Sequence, residues 1–231
     1  MSQRRYAITG AFGILGAAVA KAAAAGGARL ALIDFAPAAP AGLIEELGAG
    51  HVALAGVDLA DAASARAAVD QAAEKLGGLD VLINVAGGFR WETLEDSTAE
   101  SWTGMFRMNV MTASNTCRAA IPHLKASASG RIVNVGAGAA VKAAMGMGPY
   151  TASKAGVHKL TESLAEELKG AVTVNAVLPS ILDTPANRAD MPKSDFSAWV
   201  QPADLAAVIL FLASEEARAV TGALVPVSGK M

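Results

Sequence analysis

Tyr150 and Lys154 bracket the segment Tyr150-Thr151-Ala152-Ser153-Lys154. In a helix, residues four apart share one face, so this spacing sets an ammonium near a phenol. A neighbouring positive charge favours phenolate and lowers a tyrosine pKa, which suits a proton donor or acceptor working near neutral pH. The plainer reading of such a pair is a solvated tyrosine beside a surface lysine. A second group of residues decides between the two.

That group lies at the other end of the chain. A short apolar run ends in Thr9-Gly10-Ala11-Phe12-Gly13-Ile14-Leu15-Gly16 and passes into an alanine-rich stretch. Glycines here permit a tight turn and a close backbone approach to a pyrophosphate, which then faces helix N–H groups. A glycine triplet alone could merely shape a strand-to-helix turn. This one follows the first predicted strand, opens a helix, and precedes a second strand ending in Asp34, about two dozen residues past Gly10, where a carboxylate accepts from an adenosine ribose. The same charge repels a 2′-phosphate, and neither Phe12 nor Phe35 offers a cation, so NAD is expected over NADP. Asp34 as a simple turn residue is the alternative. Asp58, ending the third strand, either reaches an adenine edge or caps the helix starting near Ala60.

The elements that must carry these residues alternate. Apolar runs suited to strands lie at 6–9, 29–33, 51–55, 81–84, 131–135, 172–177 and 223–227, with helical stretches at 14–26, 62–76, 99–126, 151–169 and 202–214. Most strand runs are continuously apolar, as strands buried on both faces require. The rhythm predicts a single-domain α/β fold, a doubly wound and mostly parallel seven-stranded sheet with helices on both faces. Residues 184–200 fit no strong period and interrupt the alternation near strand carboxyl ends, where a substrate lid would sit.

Composition removes other classes. The 231 residues are 53% hydrophobic with a net charge of -2, enough for one large domain, and no basic block marks a nucleic-acid binder. Cys117 is the sole cysteine, which excludes an internal disulfide and a cysteine-based zinc site and fits a reducing compartment. His51, His123 and His158 lack mutual metal-ligand spacing and are read as structural or exposed. With neither a secretion signal nor a membrane-spanning run in view, a cytoplasmic location without membrane partners is expected.

Taken together, Gly10, Gly13, Gly16, Asp34, Asp58, Asn84-Val85-Ala86-Gly87, Asn109, the Tyr150/Lys154 pair and Leu178-Pro179-Ser180-Ile181 through Thr184 occur in the order of the short-chain dehydrogenase/reductase family, which the chain resembles over essentially its whole length. The resemblance implies a Rossmann fold, NAD as cofactor and hydride transfer to or from a small-molecule substrate. It makes Tyr150 the general acid/base, and Lys154 the holder of the nicotinamide ribose that depresses the tyrosine pKa. Asn109 becomes the anchor of a relay water, and Ile181 and Thr184 contacts of the carboxamide. The implied cofactor set is Gly10, Phe12, Gly13, Ile14, Leu15, Gly16, Asp34, Asp58, Leu59, Asn84, Ala86, Gly87, Tyr150, Lys154, Pro179, Ile181 and Thr184, with no metal. Homodimers or homotetramers would bury part of the alanine-rich helices at 99–126 and after Tyr150, unless core packing alone accounts for them.

Three departures stand out. The glycines read G-x-x-G-x-x-G instead of the commoner TGxxxGxG, and Ser180 replaces a glycine after Pro179. Thirteen residues before Tyr150, Ala137 stands where family members acting on carbonyls place a serine. Losing such a donor costs about 2.7–4 kcal/mol of transition-state stabilisation. The sequence also looks like the quinonoid dihydropteridine reductase branch, which dispenses with that serine. The glycine loop, Val85-Ala86-Gly87-Gly88-Phe89, Gly136-Ala137-Gly138-Ala139-Ala140 and Leu182-Asp183-Thr184-Pro185-Ala186-Asn187-Arg188 carry that likeness, with Met191-Pro192 and Asp195-Phe196-Ser197-Ala198-Trp199. Asn84 and Asn109 follow the wider family more closely. A catalytically silent NAD-binding sensor or structural subunit is the competing class, and it would have no need of Asn109, Tyr150 and Lys154.

Overall fold

Seven apolar segments pair side by side into one parallel sheet in the computed structural model, which describes residues 3–230. The strands are β1 (Arg5–Thr9), β2 (Arg29–Ile33), β3 (Val52–Leu54), β4 (Val81–Asn84), β5 (Gly130–Val135), β6 (Val172–Pro179) and β7 (Leu224–Val227). The helices are α1 (Ile14–Ala25), α2 (Leu43–Leu47), α3 (Ala62–Leu76), α4 (Ala99–Phe106), α5 (Thr112–Lys125), α6 (Gly148–Glu167), α7 (Pro185–Asp190) and α8 (Pro202–Ala213). The sheet runs β3-β2-β1-β4-β5-β6-β7. Chain order reverses between β1 and β4, and in such folds ligands bind outside the carboxyl ends of the strands at that point.

Successive strand residues point to opposite faces, yet both faces are covered. Ala7, Leu82 and Ile132 pack under α3, α5 and α6, while Ile8, Ile83 and Val133 pack under α1, α2 and α8. This two-sided burial is why the strands read as unbroken apolar runs. Alanines do the matching work on the helices: Ala65, Ala68, Ala72 and Ala73 of α3 face Ala119 and Ala120 of α5 in one cluster.

The helix expected over 99–126 forms, but its α-helical ladder is interrupted. A π-helical turn, Arg107–Met111, separates α4 from α5, and it contains neither glycine nor proline to announce it. Such turns occur mostly as single insertions in α-helices, often at functional sites. The aperiodic stretch 184–200 holds α7 and a short 3-10 turn, Phe196–Ala198. Its base is closed by a bridge between Leu182 and Val200.

Leu82 lies at zero exposure in the middle of β4. Leu82→Ala is expected to lower the unfolding free energy by about 2–5 kcal/mol, read from urea denaturation.

Candidate functional site

At the exit of β1, Gly10 has φ +62°, and a Cβ there would lie 2.7 Å from the Ala86 nitrogen. The loop is thus pressed against the chain leaving β4. A Cβ on Gly16 would stand 2.0 Å from the Gly10 oxygen, whereas one on Gly13 meets only that oxygen, at 3.5 Å. Gly10 and Gly16 are therefore demanded by packing, and Gly13 leaves open room above the turn. Helix α1 starts there with no side-chain cap and no acid in its first turn. Its opening N–H groups, those of Ile14, Leu15 and Gly16, are orphans of the kind that bind a pyrophosphate. The Phe12 and Leu15 side chains lie in the core, and of the loop's large side chains Ile14 alone is exposed.

Asp34 ends β2 with one carboxylate oxygen accepting the Phe12 N–H at 2.8 Å and the other the Ala36 N–H at 2.9 Å. These bonds tie it to the glycine loop and leave further lone pairs for ribose hydroxyls. The residues beside it, Phe12, Phe35 and Ala36, carry no charge. Asp58 serves as a turn acceptor for the Ala60 N–H at 2.9 Å and also pairs with Arg107 at 2.7 Å. Arg107 opens the π turn, and nothing in the linear sequence pointed to it. Leu59 is a core residue.

Asn84 faces inward. Its amide donates to Asn134 Oδ1 at 2.9 Å and its oxygen accepts from Thr116 at 2.8 Å. Asn134 in turn donates to Thr161 Oγ1 of α6 at 2.9 Å. Thr9 accepts the Ala86 N–H at 3.2 Å, so the support ascribed to Asn84 comes from a buried ladder joining β1, β4, β5, α5 and α6. Sequence reading identified only its central rung. Cys117 touches the same ladder, and burial pushes its thiol up to about 12. It is a packing residue and no nucleophile.

The reactive pair lies beyond this ladder. Lys154 is buried and donates to the Val135 carbonyl at 2.8 Å. A Cβ on Gly87 would sit 2.5 Å from Asn109 Oδ1 and 3.3 Å from Lys154 Nζ, so the strand-β4 exit lies directly over both. Tyr150 is half-buried, with the Phe89 ring edge-on at 4.9 Å. The expected lowering of the tyrosine pKa is not what the protein alone provides. Burial pushes the Tyr150 phenol up to about 12 and the Lys154 ammonium down to about 8. The reason is that the ammonium is turned into a backbone carbonyl instead of the phenol, so desolvation goes unopposed at both groups.

The π turn places Asn109 at 1% exposure. Its amide donates to the Gly88 oxygen at 3.1 Å and Ser153 Oγ at 2.9 Å, and its oxygen accepts the Gly88 N–H at 3.0 Å. Both side-chain donors are consumed, so the side chain is a clamp and leaves no free donor for a relay water. Ser153 Oγ donates to the Tyr150 carbonyl at 2.7 Å, and Thr151 donates to the Met147 carbonyl. Neither of these two hydroxyls is therefore free to stand in for the serine missing at Ala137. Pro179 ends β6, and Ser180 leads to Ile181, whose carbonyl accepts the Val200 N–H at 2.9 Å. Thr184 caps α7 through the Asn187 N–H at 3.2 Å. Asp183 is gripped by both arms of Arg188 and by Gln201.

A family model described as short chain dehydrogenase matches residues 5–195. The chain is similar to the D-threitol dehydrogenase of Mycolicibacterium smegmatis, with 33% identity over 96% of this chain and 90% of that one. It is similar also to the galactitol 2-dehydrogenase (L-tagatose-forming) of Cereibacter sphaeroides, with 35% identity over 96% and 92%. Among solved structures, a 3-ketoacyl-(acyl-carrier-protein) reductase from Brucella melitensis complexed with NADH superposes with a TM-score of 0.88 at 29% identity, covering 99% of this chain and 98% of that one. The glycine loop, the sheet order and these matches agree, and the chain belongs to the short-chain dehydrogenase/reductase family of oxidoreductases.

The loop geometry separates its glycines. Gly16→Ala is expected to destabilise the protein by about 1–3 kcal/mol through overpacking, while Gly13→Ala leaves the thermal midpoint near that of the parent. Differential scanning fluorimetry of the two variants checks this.

Proposed function

We propose that this protein is an NAD(H)-dependent oxidoreductase that transfers a hydride between the nicotinamide and a small organic carbonyl/alcohol or quinonoid substrate, with Tyr150 as general acid/base. The observation that carries it is the meeting of Asn109, Lys154 and the Gly87 backbone at the switch point, one helical turn from the Tyr150 phenol. When bound, the dinucleotide supplies the hydride. The chain's own groups do the rest. The uncapped start of α1 and the glycine turn receive the pyrophosphate, and the spare lone pairs of Asp34 accept ribose hydroxyls and repel a 2′-phosphate. Lys154 spends one of its three donors on Val135, which leaves two for the nicotinamide ribose. Tyr150 keeps its proton at neutral pH, the form that reduction requires, and Phe89 walls the phenol from water on one side. Asn109 keeps Gly88 and Ser153 fixed about this centre, and Pro179, Ile181 and Thr184 close the carboxamide side.

Small polyhydroxylated alcohols and the corresponding ketoses are the first substrates to examine, since the relatives named for threitol and galactitol share nearly the whole chain. A second reading, a quinonoid dihydropterin reductase, draws on Ala137, because neither Thr151 nor Ser153 of α6 is free to replace the missing serine. Consumption of NADH and NADPH side by side, over polyols, ketoses and quinonoid dihydropterin, separates these readings. Tight NADH binding without turnover across that panel would favour the silent sensor. Among the described residues, no helix is long and apolar enough to cross a membrane. The working assignment is a cytoplasmic protein, assembled as a homodimer or homotetramer through faces such as the one bearing exposed Trp102 and Phe106 on α4. Sedimentation velocity measures that assembly directly.

Tyr150→Phe is expected to cut kcat by about 10²–10⁴-fold while NADH affinity, followed by fluorescence titration, stays within about threefold of the parent. Turnover near the parent rate would remove Tyr150 from the chemistry. Asp34→Ala should shift the NADH-to-NADPH preference toward NADPH by at least about tenfold, the equivalent of about 1.4 kcal/mol.

A further inference from the structure

His158, set aside on spacing alone, lies at 5% exposure on α6, one turn beyond Lys154. Its Nε2 accepts the Ala137 N–H at 3.2 Å. A Cβ on the neighbouring Gly136 would fall 2.5 Å from that nitrogen and 2.7 Å from Cδ2. The glycine at 136 is therefore what lets the imidazole reach the strand end. Three consecutive residues leaving β5 are held in this way. The Val135 carbonyl takes the Lys154 ammonium at 2.8 Å, the Gly136 N–H goes to Val177 at 2.9 Å, and the Ala137 N–H goes to His158. Ala137 is the residue standing where a carbonyl-orienting serine is expected.

We propose that His158 is a positioning residue. As a neutral imidazole carrying its proton on Nδ1, it accepts the Ala137 N–H and fixes the end of β5 relative to the Tyr150/Lys154 helix. An imidazolium has no acceptor nitrogen, so protonation breaks the bond and sets two N–H groups against each other. The ring lies so close to the Gly136 backbone that a Cβ there would fall within 2.5 Å of it. Burial, then the Lys154 charge, hold the imidazole pKa below its ordinary value of 6.5, with Glu162 opposing and Lys159 assisting. Those charged groups are all on α6, and Gly136 and Ala137, the residues after β5 that meet the ring, are not titratable. The sign follows: the folded state favours neutral His158, so the stabilisation is complete above pH 6.5 and is lost as pH falls through the lowered pKa.

The consequence for turnover rests on the proposed hydride-transfer reading; the lock itself does not. Hydrogen exchange at the Ala137 amide, corrected for intrinsic rates, is measured between pH 7 and pH 5 for the parent, His158→Gln and His158→Phe. The parent amide is expected to lose at least about tenfold protection on acidification. His158→Gln, whose carbonyl accepts without titrating, stays protected throughout, and His158→Phe is unprotected throughout. With 9,10-phenanthrenequinone and NADH as the probe pair, His158→Phe should lose at least about tenfold in kcat at pH 7 with an unchanged KM for NADH, and His158→Gln should retain it and lose the acid limb. Parent exchange that ignores pH, or Ala137 protection that survives in His158→Phe, overturns the proposal. Should His158→Phe fail to fold, the pH profiles of the parent and His158→Gln decide it alone. An enzyme that reduces nothing bears on the proposed activity and leaves the exchange result standing.

Discussion

A buried run of amide and hydroxyl side chains ties together the carboxyl ends of the strands from which the site is built. Thr9, Asn84, Asn134 and Thr161 link β1, β4, β5 and α6, with Thr116 of α5 closing the side. Apolar residues alone would pack the sheet but would allow strands to slide, because dispersion has no preferred direction. Amides in a low-dielectric interior do have one, and a fully partnered network rigidifies the place where it runs. Both the glycine turn and the helix carrying Tyr150 and Lys154 are set by this ladder. A shift of a few tenths of an ångström there would move the phenol relative to the chain over Gly87, where a Cβ already has no room.

The lysine shows the cost of that rigidity. An ammonium at 6% exposure, with a backbone carbonyl as its one partner among the described residues and a pKa pushed down to about 8, is a poor stabiliser of a fold. Burying a charge is tolerated only where it is paired and hydrogen-bonded. Here the site holds a cation partly prepared for an incoming hydroxyl-bearing ligand, and the stability forgone is made up by two-sided burial elsewhere in the sheet.

Much of this could be read from the chain. Most of the seven strands appeared as unbroken apolar runs because both faces are covered, and Gly10 and Gly16 stood out because backbone atoms approach within the space of a methyl group. Asp34 was visible from its place at the end of the second strand. The π turn was hidden, since Arg107-Met108-Asn109-Val110-Met111 has ordinary helical composition and its extra residue per turn is a tertiary matter. Asn109 was known only by resemblance, and its bonds to Gly88 and Ser153 depended on that turn. Spacing placed Lys154 beside Tyr150 but could not say which acceptor the ammonium would choose, and so misjudged the tyrosine. His158 and Gly136 lie 22 positions apart, and only the fold brings them into contact.

The bridge between Leu182 and Val200 brings the two ends of an intervening stretch side by side before either reaches β6 or α8. Asp183, held by Arg188 and Gln201, doubles that seam. A segment pinned at its neck can be lengthened cheaply, since each doubling of a loop adds only about 0.6 kcal/mol of closure entropy. Its contents can therefore be rewritten without disturbing the sheet below. In evolutionary terms, it is an exchangeable cassette mounted on a fixed frame.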